Sequence, residues 1–150
     1  MSDLSDRKER EDRRSRRATD APRSWRGSGL VIVIEDEDGI RRYARRILEN
    51  HGFTVEAAAD GREGLALFER HRNEAALVLL DRAMPSLSGE QVLAEIHRLR
   101  PDMPVVIASG YAEAASSHPT RSTVAGYLAK PFRPEELIVV VREALTWTPR

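Results

Sequence analysis

The run Leu30-Val31-Ile32-Val33-Ile34-Glu35-Asp36-Glu37-Asp38 decides the fold. Its first five residues are apolar with no alternation, and four are β-branched, which suits a strand covered on both faces, as in a parallel sheet. The chain then turns abruptly acidic. Ile40, Tyr43, Ala44, Ile47 and Leu48 follow at helical spacing, and His51-Gly52 ends that helix. Residues 53–57 form a second strand, and Asp60-Gly61 opens a helix through Arg72 with Leu65 and Phe68 inward. Residues 76–80 are a third strand. Ser88 can cap a helix carrying Val92, Leu93, Ile96 and Leu99. Strands at 104–108 and 126–129 come next. Pro134 with Glu135 and Glu136 starts a last helix lined by Leu137, Ile138, Val141 and Leu145. Five successive strand–helix units with right-handed crossovers predict a doubly wound α/β fold, a five-stranded parallel sheet with helices on both faces. Residues 112–125 break the regularity, because Pro119 and Ser116-Ser117-His118 make a short or irregular helix.

The chain of 150 residues is the length of one ordinary domain. It has no Cys, which removes disulfides, thiol nucleophiles and Cys-ligated zinc. Its 24 basic and 24 acidic residues cancel, so bulk charge selects neither nucleic acid nor membrane. No apolar run reaches the roughly 20 residues of a membrane helix. The charged start, from Asp3 onward, lacks the apolar centre of a signal peptide, so a cytoplasmic location is expected. Residues 1–28 carry nine Arg or Lys against six acids and few apolar side chains, and read as a disordered charged arm ahead of a folded domain at 29–150.

In sheets of this type ligands bind beyond the carboxyl ends of the strands. Here those ends deliver Glu35-Asp36-Glu37-Asp38, Asp81, Ser109-Gly110 and Lys130-Pro131-Phe132. Close carboxylates repel unless a cation joins them, and an all-oxygen set suits Mg²⁺ better than zinc. A hydroxyl and an ammonium beside such a site are what phosphoryl oxygens need. Of the 24 basic residues 22 are Arg, and Lys130 is the single Lys after residue 8, which suggests a requirement for a compact point charge. His51, His71, His97 and His118 are scattered, without metal-ligand spacing.

Four stretches in order carry a family resemblance: Val33-Ile34-Glu35-Asp36-Glu37; Leu79-Leu80-Asp81-Arg82-Ala83-Met84-Pro85 with Gly89; Ala108-Ser109-Gly110-Tyr111; and Gly126-Tyr127-Leu128-Ala129-Lys130-Pro131-Phe132. From about 29 to 145 the chain resembles the receiver domains of two-component response regulators, of the stand-alone type. The resemblance implies a flavodoxin-like strand order 2-1-3-4-5. It implies Asp81 as phosphoacceptor and Mg²⁺ held by Asp36, Glu35, Asp81 and the backbone carbonyl of Ala83. It makes Ser109 and Lys130 the contacts to phosphoryl oxygens, Tyr127 the aromatic that turns inward with Ser109, and Lys130-Pro131 a cis peptide. Glu35 and Ser109 stand where Asp and Thr are more frequent in the family.

The implied function is that of a phosphoacceptor, not a free-standing enzyme, with at most slow self-dephosphorylation. The phosphoryl donor would be a histidine kinase or histidine phosphotransfer protein. Arg41, Arg42, Arg45 and Arg46 form either a docking patch for that donor or a solvated helix face. The chain ends about one turn past the last helix, so no DNA-binding domain is expected and output would be by contact with a downstream protein; a second copy of the chain is a further candidate partner. Two other readings stay open. Val33-Ile34-Glu35-Asp36-Glu37-Asp38-Gly39-Ile40 resembles the loop of haloacid-dehalogenase-type phosphatases, with Asp36 as nucleophile and Asp38 as acid/base, although that reading leaves Asp81 without a role. The other is a degenerate receiver that only binds partners.

Overall fold

The computed structural model describes residues 25–85, 87–110 and 123–149. The strands are β1 (Leu30–Ile34), β2 (Thr54–Ala58), β3 (Ala75–Asp81), β4 (Val105–Gly110) and β5 (Gly126–Lys130). The described helices are α1 (Asp38–Asn50), α2 (Gly61–Arg70), α3 (Gly89–Leu99) and α4 (Pro134–Ala144). All strand pairs are parallel, in the order β2-β1-β3-β4-β5. β1 lies inside the sheet and every one of its residues is buried, which is why its sequence shows no alternation.

Successive side chains of each strand feed two cores. Val31, Val33, Leu77, Leu79 and Val106 pack with Leu48 of α1 and Leu137 and Val141 of α4. Ile32, Ile34, Val78, Leu80 and Ile107 pack on the other face with Phe68 of α2 and Val92 and Ile96 of α3. The doubly wound expectation and its strand order therefore hold. Local chemistry starts the helices where expected. The Asp60 side chain accepts from the Glu63 amide at 2.8 Å. Ser88 and Gln91 form a reciprocal capping box, and Pro134 stands in the first turn of α4.

Several boundaries differ from the sequence reading. β3, β4 and β5 run on to Asp81, Gly110 and Lys130, because ladder pairing with neighbours continues after the apolar run has ended. β2 is shifted by one residue, to 54–58. α2 stops at Arg70, where the His71 amide still bonds Leu67 but the chain turns back through Glu74 and Ala75 onto the His71 carbonyl. Its buried pair is Leu67 and Phe68, with Leu65 only partly covered. In α4 Ala144, one residue before Leu145, takes the buried position. Tyr43 is exposed, its ring 5.6 Å from that of Phe132 and its hydroxyl donating to the Phe132 carbonyl at 3.3 Å.

The last residues before β1 pack onto the folded domain. Trp25 stacks obliquely on Phe53 with ring centroids 5.9 Å apart, and the Gly27 amide donates to the His51 carbonyl at 2.8 Å. Gly52, at φ +94°, leaves room for this strap: a Cβ there would stand 2.6 Å from the Gly27 carbonyl oxygen. Residues 1–24 of the proposed arm, and 112–122 of the irregular segment, lie outside the described residues.

Candidate functional site

β1 has β2 on one side and β3 on the other, so the connections leaving β1 and β3 diverge and open a crevice at their carboxyl ends. Glu35 and Asp36 follow β1 directly, and Asp81 is the last residue of β3. Asp81 pairs in register with Ala108, which puts Ser109 one step further along the adjacent strand, and Lys130 closes β5 opposite Gly110. Strand ends thus carry each group to the same edge.

Glu35 and Asp81 are each only 3% exposed, whereas Asp36 is exposed. Carboxylate oxygens of the three lie within 4.8 Å of one another. Lys130 Nζ reaches across to Glu35 Oε1 at 2.5 Å and Asp81 Oδ1 at 3.0 Å. The Glu37 amide donates to Glu35 Oε2 at 3.2 Å, and the Ala83 amide donates to Asp81 Oδ1 at 3.3 Å. The Ser109 hydroxyl is buried and has no hydrogen-bond partner among the described residues. Tyr127 is half-buried and lines a cleft with Arg82, Gly89, Glu90, Leu93 and Ile107.

Crowding sets the protonation. Burial pushes the Glu35 carboxyl up to about 7, against the pull of Lys130. Burial also raises Asp81, which Glu35 and Lys130 only partly offset. For Asp36 burial acts upward but is outweighed by hydrogen bonds from Glu35 and Asp81, so its carboxyl falls below its ordinary value. Lys130 loses from burial and gains more from Glu35 and Asp81, so its ammonium is held more firmly than usual. Three carboxylates facing one ammonium are short of positive charge. An oxygen-only donor set of this kind fits a hard divalent cation such as Mg²⁺.

The four arginines of α1 separate into two pairs. Arg41 ion-pairs with Asp38 and donates to the Glu35 carbonyl at 3.0 Å, bracing the acidic turn. Arg45 bonds Glu49 at 2.7 Å and donates to the Val55 carbonyl of β2 at 3.2 Å. Arg42 and Arg46 are exposed and ion-pair with no described residue. Asp38 lies in the first turn of α1 and is no member of the acidic cluster, which leaves the phosphatase loop reading without its second carboxylate. Sequence reasoning missed the bracing contact of Arg41 with the Glu35 carbonyl, which appears only once α1 folds back beside β1. It also missed the Arg82–Glu90 pair at 2.9 Å, between the acceptor loop and the start of α3.

Residues 31–142 match the model of the response regulator receiver domain. The chain belongs to that family. Receiver domains are phosphoacceptor signalling modules of two-component systems, and this is the function of the chain at that level. The receiver is 37% identical over 120 residues to the sensor kinase CckA of Brucella abortus, covering 79% of this chain but 13% of that protein. It is 36% identical over 121 residues to the response regulator MprA of Mycolicibacterium vanbaalenii, covering 79% of this chain and 51% of that one. The chain thus spans about half or less of the length of these two relatives. Among solved structures, a receiver domain protein from Clostridium thermocellum superposes with a TM-score of 0.71 at 31% identity, covering 78% of this chain and 94% of that one. The receiver domain of the hybrid histidine kinase CckA gives 0.68 at 30% identity, covering 79% of this receiver and 100% of that chain. No helix among the described residues is long and apolar enough to cross a membrane.

Proposed function

We propose that Asp81 is the phosphoacceptor, taking its phosphoryl group from a phosphohistidine on a histidine kinase or histidine phosphotransfer protein. The observation that carries this is the position of the Asp81 carboxylate: buried at the end of β3, 3.0 Å from Lys130 and beside two further carboxylates. An Asp81 oxygen attacks phosphorus in line, the bond from phosphorus to the donor imidazole breaks, and the electron pair leaves with the imidazole. Glu35, Asp36, Asp81 and the Ala83 carbonyl would hold Mg²⁺, which when bound supplies charge neutralisation to the carboxylates and the transferring oxygens. Lys130 swings its ammonium from Glu35 toward the incoming oxygens. The unpartnered Ser109 hydroxyl then finds an acceptor in the phosphoryl group, and Tyr127 follows into the space it leaves, shifting the population of surfaces around β5 and α4.

Slow hydrolysis of the acyl phosphate resets the module. Its output is contact with a downstream protein, its location the cytoplasm. Arg42 and Arg46 are the better candidates for meeting an acidic surface on the donor, because Arg41 and Arg45 are engaged within the domain. Intact-mass measurement with acetyl phosphate tests the assignment. Wild type should gain one phosphoryl mass only when Mg²⁺ is present. Asp81→Asn should gain none, and Asp36→Asn should lose Mg²⁺-dependent gain while melting within about 0.5 kcal/mol of wild type, since Asp36 is exposed. A label mapped to Asp36 would overturn the reading.

A further inference from the structure

Resting on the assignment of Asp81 as acceptor, we propose that Gly89, the first residue of α3, is a positioning residue for that acceptor. Its missing side chain lets the start of α3 lie directly on the Asp81–Arg82 backbone. A Cβ at position 89 would stand 2.8 Å from Arg82 Cα and 3.0 Å from the carbonyl oxygens of both Asp81 and Arg82. These are main-chain atoms, which cannot rotate aside as a side-chain tip would.

The Arg82 peptide is clamped between two elements at this point. Its amide donates to the Ala108 carbonyl of β4 at 2.9 Å, and its carbonyl accepts from the Gly89 amide at 3.0 Å. The Arg82 side chain adds a third tie, to Glu90 at 2.9 Å. The Arg82 carbonyl shares its peptide group with the Ala83 amide, which donates to Asp81 Oδ1, and the Ala83 carbonyl is the backbone member of the proposed Mg²⁺ set. Fixing Arg82 therefore fixes both the acceptor oxygen and its neighbour. α3 itself cannot easily give way. Val92 and Ile96 are fully buried in the core, and Ser88 and Gln91 cap its first turn. A methyl group at position 89 moves the acceptor loop instead. Displacement of a reacting group by about 1 Å costs on the order of a hundredfold in rate.

The test uses the full chain with acetyl phosphate and Mg²⁺, read by intact mass, together with the ¹⁵N-resolved amide resonance of Ala83 in metal-free protein. Gly89→Ala should slow phosphorylation about ten- to a hundredfold and shift the Ala83 resonance. Gly39→Ala, where nothing lies within 4 Å of the added carbon, should do neither. Val141→Ala, which opens a cavity in the opposite core, should lower stability and leave rate and resonance unchanged. A wild-type rate and an unmoved Ala83 in Gly89→Ala would overturn the proposal, as would a slowing no greater than that of Val141→Ala at matched stability. Should Gly89→Ala not fold, Ser88→Ala decides: it frays the same helix start, and a full rate there overturns the clamp. Absence of phosphorylation in wild type would instead refute the Asp81 assignment, and the Ala83 resonance would still judge Gly89.

Discussion

Glu35 carries the sharpest pH consequence of the site. Its carboxyl is raised from its ordinary 4.5 to about 7, so the folded metal-free protein binds that proton more tightly than the unfolded chain does. The associated stability is fully present below about 4.5 and disappears as pH rises through about 7. Raised Asp81 acts in the same direction, while the lowered Asp36 acts only near or below its own ordinary 3.8. Metal-free protein should therefore lose on the order of 2 kcal/mol between pH 5 and 8. Mg²⁺ affinity should climb over the same interval, since the cation must displace the proton. Thermal melts in chelator and calorimetric Mg²⁺ titrations across that range measure both, and a melting temperature flat with pH would contradict the assigned burial. Ser109 makes the complementary case. Its hydroxyl is 1% exposed and unpartnered among the described residues, and a buried polar group left so costs about 1–3 kcal/mol. Ser109→Ala should hold or raise the denaturation midpoint of the unphosphorylated protein, while weakening whatever phosphorylation transmits.

At the scale of elements, legibility followed the apolar pattern and stopped where that pattern stopped. β1 was visible as five buried residues, and α3 as a capped start at Ser88 with Val92 and Ile96 beneath it. The ends of β3 and β5 were cut short because Asp81 and Lys130 are polar, yet strand pairing ignores side-chain polarity and carries both into the ladder. The acidic cluster could be read from the sequence because strand order converts four distant segments into one edge. The division of the α1 arginines could not, since it depends on which of them reaches a backbone carbonyl on a neighbouring strand. The strap at 25–28 was hidden by its charged neighbours. One aromatic contact, Trp25 on Phe53, outweighs that composition. Trp25→Ala should cost about 1–3 kcal/mol in chemical denaturation and leave acetyl phosphate labelling intact, since the strap joins the α1–β2 turn and none of the site residues. Loss of labelling in that variant, with the fold retained, would show coupling that these contacts do not provide.

For the molecule as a whole, the two cores are built differently with respect to the switch. One joins β4 and β5 to α4 through Val106, Leu128, Leu137 and Ile138, whereas α2 and α3 share the other with Phe68, Val92 and Ile96. A phosphoryl group recruiting Ser109 pulls on β4, whose register with β5 runs from Val106–Gly126 to Gly110–Lys130. Hydrogen exchange with and without beryllofluoride should show protection rising in β5 and α4 more than in α2. Protection confined to the loops after β1 and β3 would mean that the site binds without transmitting.

Arg45 has a consequence of another kind. β2 is an outer strand, and such strands tempt other chains to add on by backbone pairing. The Arg45 guanidinium already occupies one of its carbonyls, at Val55, and brings a full positive charge to that border. A second chain pairing along this border would have to displace that guanidinium and bury its charge, so the contact disfavours strand addition there.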